Sequence, residues 1–258
     1  MTSPSPARRG FSLIEVWVSM TLGCIVLLAA AAMLGNAGVG YGRFGGGVAA
    51  EREARGLFTQ LAADLSTARF HKQGVIGKSS ANWPTDRFGC LFLQPAGSQS
   101  YAGCIGDLCA VNYYVRDLTI GGKTMRCLMR GCRESKETFS ALENDSVNSL
   151  FTERHLSDEP VAFGVVSFEA RPKSRDPSGK WRDWVITDIT GPAALDVRLV
   201  LARNDLAAKL KCPQDWDGDG TGGCLLGPPS AALRNANLEV YATLIRFGNH
   251  DHPSVTAP

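Results

Sequence analysis

Hydrophobic and polar positions divide the chain into regions of different period. From Phe11 to Leu34 the side chains are apolar with few interruptions, and Glu15 is the one ionisable group besides Cys24. At about 1.5 Å per helical residue such a run exceeds a hydrocarbon core of about 30 Å, so residues 11–35 are predicted to form a transmembrane helix. Seven glycines then fall in the thirteen residues from Gly35 to Gly47. Each costs about 1 kcal/mol against alanine in a helix, which predicts that a rigid helix does not continue there. Residues 36–49 are read as a glycine-rich linker or hinge. Helical period returns at Ala50 to Phe70, where Ala54, Leu57, Phe58, Leu61, Leu65 and Ala68 share one face, and Glu51, Arg52, Arg55, Gln60 and Asp64 the other.

Beyond Phe70 the period shortens. Short runs rich in β-branched and aromatic residues are predicted as strands at Phe88 to Gln94, Ala110 to Val115, Met125 to Arg130, Val161 to Ala170, Trp181 to Thr187, Leu195 to Ala202 and Leu238 to Phe247. Alternation in Leu195-Asp196-Val197-Arg198-Leu199-Val200-Leu201 gives a strand with one buried face. A long helix whose amphipathic half lies across an antiparallel sheet is an α+β architecture, with residues 71–258 as a β-rich globular domain. Ser135 to Ser149 is polar enough to be read as a surface loop.

Composition narrows the function. The chain has 258 residues, 44% hydrophobic and 20% charged, with a net charge of +2. That suits one anchor and one sizeable domain, and no basic stripe interleaved with aromatics argues for nucleic acid. No serine or cysteine sits in a nucleophile elbow and no carboxylate pair has a recognisable catalytic setting, so an enzyme is not expected. His71, His155, His250 and His252 are scattered. Trp181 and Trp184 read as packing residues or, if exposed, as an interface anchor.

Of the eight cysteines, Cys24 lies in the apolar run and seven lie beyond it. In an oxidising compartment these allow two or three disulfides whose connectivity spacing does not fix. Locally plausible closures are Cys104 with Cys109, Cys127 with Cys132 and Cys212 with Cys224, leaving Cys90. Zinc is the alternative, although the C-x4-C gaps fit its usual ligand spacing loosely. Between the last two cysteines, Asp215, Asp217 and Asp219 occupy the first, third and fifth positions of a calcium loop, with Gly220 at the turn and the Thr221 carbonyl at the seventh. The twelfth position is Leu226, so the loop lacks the usual bidentate glutamate, and a plain Asp/Gly turn is the competing reading.

The N-terminal run Arg8-Arg9-Gly10-Phe11-Ser12-Leu13-Ile14-Glu15-Val16 resembles the prepilin processing site of type IV pilins and type II secretion pseudopilins. The resemblance implies that a prepilin peptidase removes residues 1–10 by cutting between Gly10 and Phe11, and methylates the amine of Phe11. It also makes Glu15 the assembly carboxylate that neutralises a neighbouring subunit's amine, since either charge alone in an apolar layer would cost several kcal/mol. A secretory signal or a twin-arginine signal shares the basic leader and apolar run. The Gly-Phe junction, Glu15 and the length of the run distinguish the prepilin reading from both.

Further along, Glu53-Ala54-Arg55, Leu128-Met129-Arg130, Val165-Val166-Ser167-Phe168, the tryptophans Trp181 and Trp184, and Ala193-Ala194-Leu195-Asp196-Val197-Arg198-Leu199 are similar to the minor pseudopilin of type J in type II secretion. Prepilin-like proteins of Verrucomicrobial gene cassettes share the arrangement. The order around Pro192 and the cysteine-rich middle depart from type J. The resemblance implies a type IV pilin-like fold and a single-pass inner-membrane protein with a periplasmic C-terminal domain. The implied partners are the peptidase, other major and minor pseudopilins, the inner-membrane assembly platform and membrane lipid. A minor type IV pilin priming a surface fibre, and an exported calcium-stabilised binding domain, are the alternatives.

Overall fold

The apolar run opens a helix, α1, that extends over Leu13–Ser66. The structure, a computed structural model, describes residues 12–70, 74, 76–79, 83–93, 108–154, 156–185, 187–188, 191–207, 209–210, 212–217 and 237–248, without the side chains of 36–44, 46, 69, 76, 204, 205 and 217. The glycine-rich stretch, expected to interrupt the helix, is helical. Nucleation is the costly step, and once a helix exists each added residue gains a backbone hydrogen bond that needs no side chain. The chain divides into two units inside this same stretch, Met1–Gly45 and Gly46–Pro258.

In the first unit the apolar residues of α1 are exposed all round, and Leu13–Gly35 is long and apolar enough to cross a membrane. In the second unit the helix has one buried stripe, Ala50, Ala54, Leu57, Leu61 and Leu65. These residues pack with Phe88, Val111 and Leu128 from one sheet and with Phe168, Val197 and Leu199 from another, in a shared core. Burying each leucine contributes roughly 1.5–3 kcal/mol.

The expected single sheet is two. The first contains β1 (Ala68–Arg69), β2 (Ile76–Gly77), β3 (Arg87–Leu93), β4 (Leu108–Ile120), β5 (Lys123–Arg133) and β6 (Glu159–Phe163), ordered β1-β3-β4-β5-β6 with β2 also on β3. Gly121 and Gly122, with φ of 58° and 79°, make the two-residue turn between β4 and β5. The second contains β7 (Val165–Arg175), β8 (Trp181–Asp183), β9 (Ala194–Ala202) and β10 (Leu238–Arg246), ordered β10-β9-β7-β8. All of these ladders are antiparallel. Val161 to Ala170, read as one strand, is broken at Gly164, whose φ of 72° suits glycine and turns the chain from the first sheet into the second. Pro84 to Asp86 joins the sheets. The Asp86 N–H donates to the Phe168 carbonyl at 2.7 Å, and the Asp86 carboxylate accepts the Ala170 N–H at 3.0 Å.

Ser135 to Ser149 is also more ordered than a loop. It forms α2 (Ser135–Glu143) and the start of a 3-10 turn, Val147–Phe151. Ala141, Val147, Leu150 and Phe151 bury against Leu91 and Ala110 on the outer side of the first sheet, so a few apolar residues among many polar ones are enough to hold the segment. Two short helices, α3 (Asn204–Ala207) and α4 (Pro213–Asp217), bring Leu206, Ala207 and Trp216 over Val200 and Ala202 of the second sheet.

Candidate functional site

Gly10 and Phe11 lie outside the described residues. The chemistry next to them begins at Ser12 and Glu15, which form a reciprocal cap at the start of α1. The Glu15 N–H donates to Ser12 Oγ at 3.3 Å, while Glu15 Oε2 accepts the Ser12 N–H at 3.1 Å and its hydroxyl at 3.2 Å. Ser12-Leu13-Ile14-Glu15 is thus a capping box. An acidic group in the first turn also suits the positive end of the helix dipole. Glu15 Oε1 has no donor among the described residues, and the side chain is exposed. The carboxylate is therefore held at the helix start with one oxygen open to a cation.

At the other end of α1, Asp64 corrects its assignment to the solvent face. It is only 3% exposed, and it accepts Arg130 Nε at 2.9 Å and Nη2 at 3.0 Å, together with the Tyr113 hydroxyl. A bidentate guanidinium and a phenol leave the carboxylate well satisfied, which a buried charge requires. Burial, and after it the Asp64 charge, raise the Tyr113 phenol well above its ordinary range. Burial alone would lower Arg130, but the Asp64 and Tyr113 hydrogen bonds outweigh it and hold the guanidinium protonated. Gly248 closes the same end. Its N–H donates to the Leu65 carbonyl at 3.3 Å, and a Cβ there would stand 1.8 Å from the Ser66 oxygen.

A second buried pair uses the opposite face of β5. Arg133 reaches Asp158 at 2.6 Å, and Asp158 also accepts the Tyr114 hydroxyl at 2.8 Å and the Arg154 N–H at 2.8 Å. Burial raises the Asp158 carboxyl, but these donors outweigh it and hold the group below its usual range. Gly131 lies beside this cluster, where a Cβ would meet Asp158 Oδ1 at 2.7 Å. Both networks fasten elements of the globular domain together.

The three proposed cysteine pairings do not form. Cys90, Cys127 and Cys212 are free thiols, Cys109 also carries a thiol, and Cys132 is disulfide-bonded. Cys127 and Cys132 share β5, and five residues of strand separate Cα atoms by roughly 16 Å, far beyond the ~7 Å limit for a bridge. Cys109 is fully buried in β4 opposite Phe92, with its side chain in the core. Cys212 is exposed ahead of α4, and its N–H donates to the Asp215 carboxylate at 3.1 Å. Cys104 and Cys224 lie outside the described residues. Burial pushes the Cys127 thiol up to about 12, and burial likewise raises Cys90, so both are unreactive packing groups.

Of the calcium-loop residues, Asp215 lies in α4 and Asp217 closes it, whereas Asp219 and Thr221 lie outside the described residues. The segment begins as a helical turn rather than an open loop because Trp216 is fully buried and donates its indole N–H to the Thr124 carbonyl at 3.3 Å. Among the described residues no three His, Cys, Asp or Glu side chains are grouped to hold a metal. Trp184 packs edge-on to Phe70 at 5.1 Å. Sequence reasoning missed Arg130 as the partner of Asp64, although an arginine on the core-facing side of a strand was a usable signal.

Residues 5–31 match the family model described as the prokaryotic N-terminal methylation motif, so the N-terminal segment of the chain is prepilin-like. Its fold is α+β, a long apolar N-terminal helix followed by antiparallel sheets. No curated protein sequence matches the chain. Among solved structures it is similar to a type IV-like pilin from Thermus thermophilus, with 18% identity over 78% of this chain and 98% of that one and a TM-score of 0.39.

Proposed function

We propose that the chain is a non-enzymatic, single-pass membrane subunit of a pilin-like assembly, acting as a minor pseudopilin of a type II secretion-like machine with its globular domain in the periplasm. The carrying observation is the methylation motif at residues 5–31, set on an apolar segment, Leu13–Gly35, whose one acidic side chain, Glu15, is presented in the first turn of α1. In this reading a prepilin peptidase cuts after Gly10, and the new amine of Phe11 enters an apolar layer. A neighbouring subunit's Glu15 neutralises it through the oxygen that Ser12 does not use. Two charges that are each costly alone then set the register of one helix against the next. Other pseudopilins, the inner-membrane platform and lipid complete the set of partners.

The test is Glu15→Ala in cells. The variant is expected to be processed, because the carboxylate lies downstream of the cut bond, and to be lost from assembled subunits on copurification. Normal copurification would refute the pairing.

A further inference from the structure

The edge of a sheet presents a row of unpaired N–H and C=O groups, and folded proteins blunt such edges with short strands, charges, prolines or bulges. Among the described residues, four of the five end strands are blunted in this way. In the first sheet β1 and β2 have two residues each, and β6 carries Glu159 and Pro160 beside a register shift in β5. In the second sheet β8 has three residues, and Arg182 and Asp183 among them are charged. β10 is different. It has nine residues in unbroken register with β9, and from Val240 to Ile245 none is charged or proline.

The hydrogen bonds at the two ends of β10 fix which of its groups stay open. The Arg203 N–H donates to the Asn237 carbonyl and the Phe247 N–H to the Ala193 carbonyl, each at 3.0 Å. Odd-numbered residues of β10 therefore bond to β9, and the N–H and C=O of Val240, Ala242 and Leu244 point the other way. None of these groups meets a partner among the described residues. The same three residues carry exposed side chains, with Val240 at 54% and Leu244 at 39%. An open backbone row and apolar side chains at alternate positions are together what an added strand requires.

Charge selects the kind of strand. Arg246 alternates onto the same face as these side chains, is exposed, and lies 5.9 Å from the Trp181 ring centroid with no carboxylate in ion-pair distance among the described residues. The carboxylate that β10 itself carries, Glu239, alternates onto the other face and is held by Arg203. An antiparallel β10 from a second copy would therefore leave Arg246 unanswered. The end of this chain, Asn249 to Pro258, has Val255 as its one large apolar residue and is interrupted by Pro253. We propose that the β10 edge receives an extended strand of a different protein, apolar at alternate positions through an uncharged middle and with a carboxylate beside Arg246. The proposal goes beyond the subunit reading and uses neither Glu15 nor the anchor.

The test uses the full chain in nonionic detergent and the peptide acetyl-Glu-Thr-Val-Thr-Val-Thr-Val-Thr with a C-terminal fluorescein, read by fluorescence anisotropy. Laid antiparallel, its glutamate meets Arg246 and its valines meet Leu244, Ala242 and Val240. The peptide should bind saturably. N-methylation of its valines removes the N–H donors that face β10 and should weaken binding about tenfold or more, whereas N-methylation of its threonines, on the far edge, should not. Val240→Lys with Leu244→Lys should weaken binding as strongly with circular dichroism and melting unchanged, and so should Ala242→Pro, which removes an N–H that β9 does not use. No binding to wild type, equal binding of the valine-methylated peptide, or variants without effect would each overturn the proposal. Binding that appears only after residues 249–258 are removed would assign the edge to the chain's own end, and wild-type dimers dissolved by the double lysine variant would assign it to a second copy; either overturns the foreign strand. Copurification of the Glu15→Ala variant reads a separate contact, so failure here leaves the subunit reading standing.

Discussion

The two ends of α1 share a secondary structure and differ in almost everything else. From Leu13 to Leu34 apolar side chains are exposed on every side, with Trp17 and Leu34 at 68% and 74%. From Ala50 to Ser66 only one stripe is apolar, and it is buried against two sheets. Each end has one informative carboxylate. Glu15 is capped by its own neighbour and keeps one oxygen open, whereas Asp64 is enclosed by Arg130 and Tyr113. A helix apolar all round is suited to lipid and neighbouring helices, while a striped one is suited to its own domain. The first carboxylate keeps an oxygen without a donor among the described residues, and the second is satisfied within this fold.

Breaking the second end should have the largest effect on stability. Asp64→Ala removes the bidentate carboxylate partner of the buried Arg130, and should cost about 3–5 kcal/mol in denaturant unfolding of the full chain in nonionic detergent. Asp64→Leu combined with Arg130→Met should recover most of that loss, because a packed apolar pair removes both desolvation costs. Glu15→Ala should leave the same unfolding midpoint in place. Equal effects of Asp64→Ala and Glu15→Ala would erase the contrast between the two ends.

A smaller effect is expected from calcium. If Asp215 to Thr221 binds it in the native state alone, a hundredfold excess over the dissociation constant stabilises the domain by about 2.7 kcal/mol. The ion would have to compete with the Cys212 N–H for Asp215. Melting should shift upward in millimolar calcium relative to chelator, and Asp217→Ala should remove the shift. Superimposable wild-type curves would leave the segment as a capped turn.

The smallest effects come with pH. The Tyr113 phenol is raised, so its contribution is complete below the unfolded value near 10 and is lost as pH climbs above it. Asp158 is lowered, so its contribution is complete above the unfolded value near 3.8 and is lost as pH falls through the lower folded value. Tyr113→Phe should flatten the alkaline limb of a stability–pH curve and leave the acid limb unchanged. An alkaline limb identical to wild type would contradict the burial of that phenol.

Sequence was most informative where one period dominates. The buried stripe from Ala54 to Leu65 and the strands β3, β9 and β10 follow directly from apolar spacing. It was least informative where long-range partners decide. Asp64 looked polar-faced because Arg130 is 66 residues away. α2 looked like a loop because its few apolar residues are answered by Leu91 and Ala110. The cysteine pairs were chosen by nearness in sequence, yet a strand holds near neighbours apart, as Cys127 and Cys132 show. At the N-terminus the motif was legible at once, but the Ser12–Glu15 cap emerged only from the geometry.

The central claim is that a prepilin-type cut places a methylated amine at the head of an apolar helix served by Glu15. Mass measurement of the N-terminal peptide of the chain recovered from membranes tests it most directly. The account predicts a mature chain beginning at N-methylated Phe11, and a heavier unmethylated precursor when Gly10 is replaced by a bulky residue. A wild-type chain that retains Met1 to Gly10, or is cut within Ala29 to Ala32 as by a secretory signal peptidase, would contradict it.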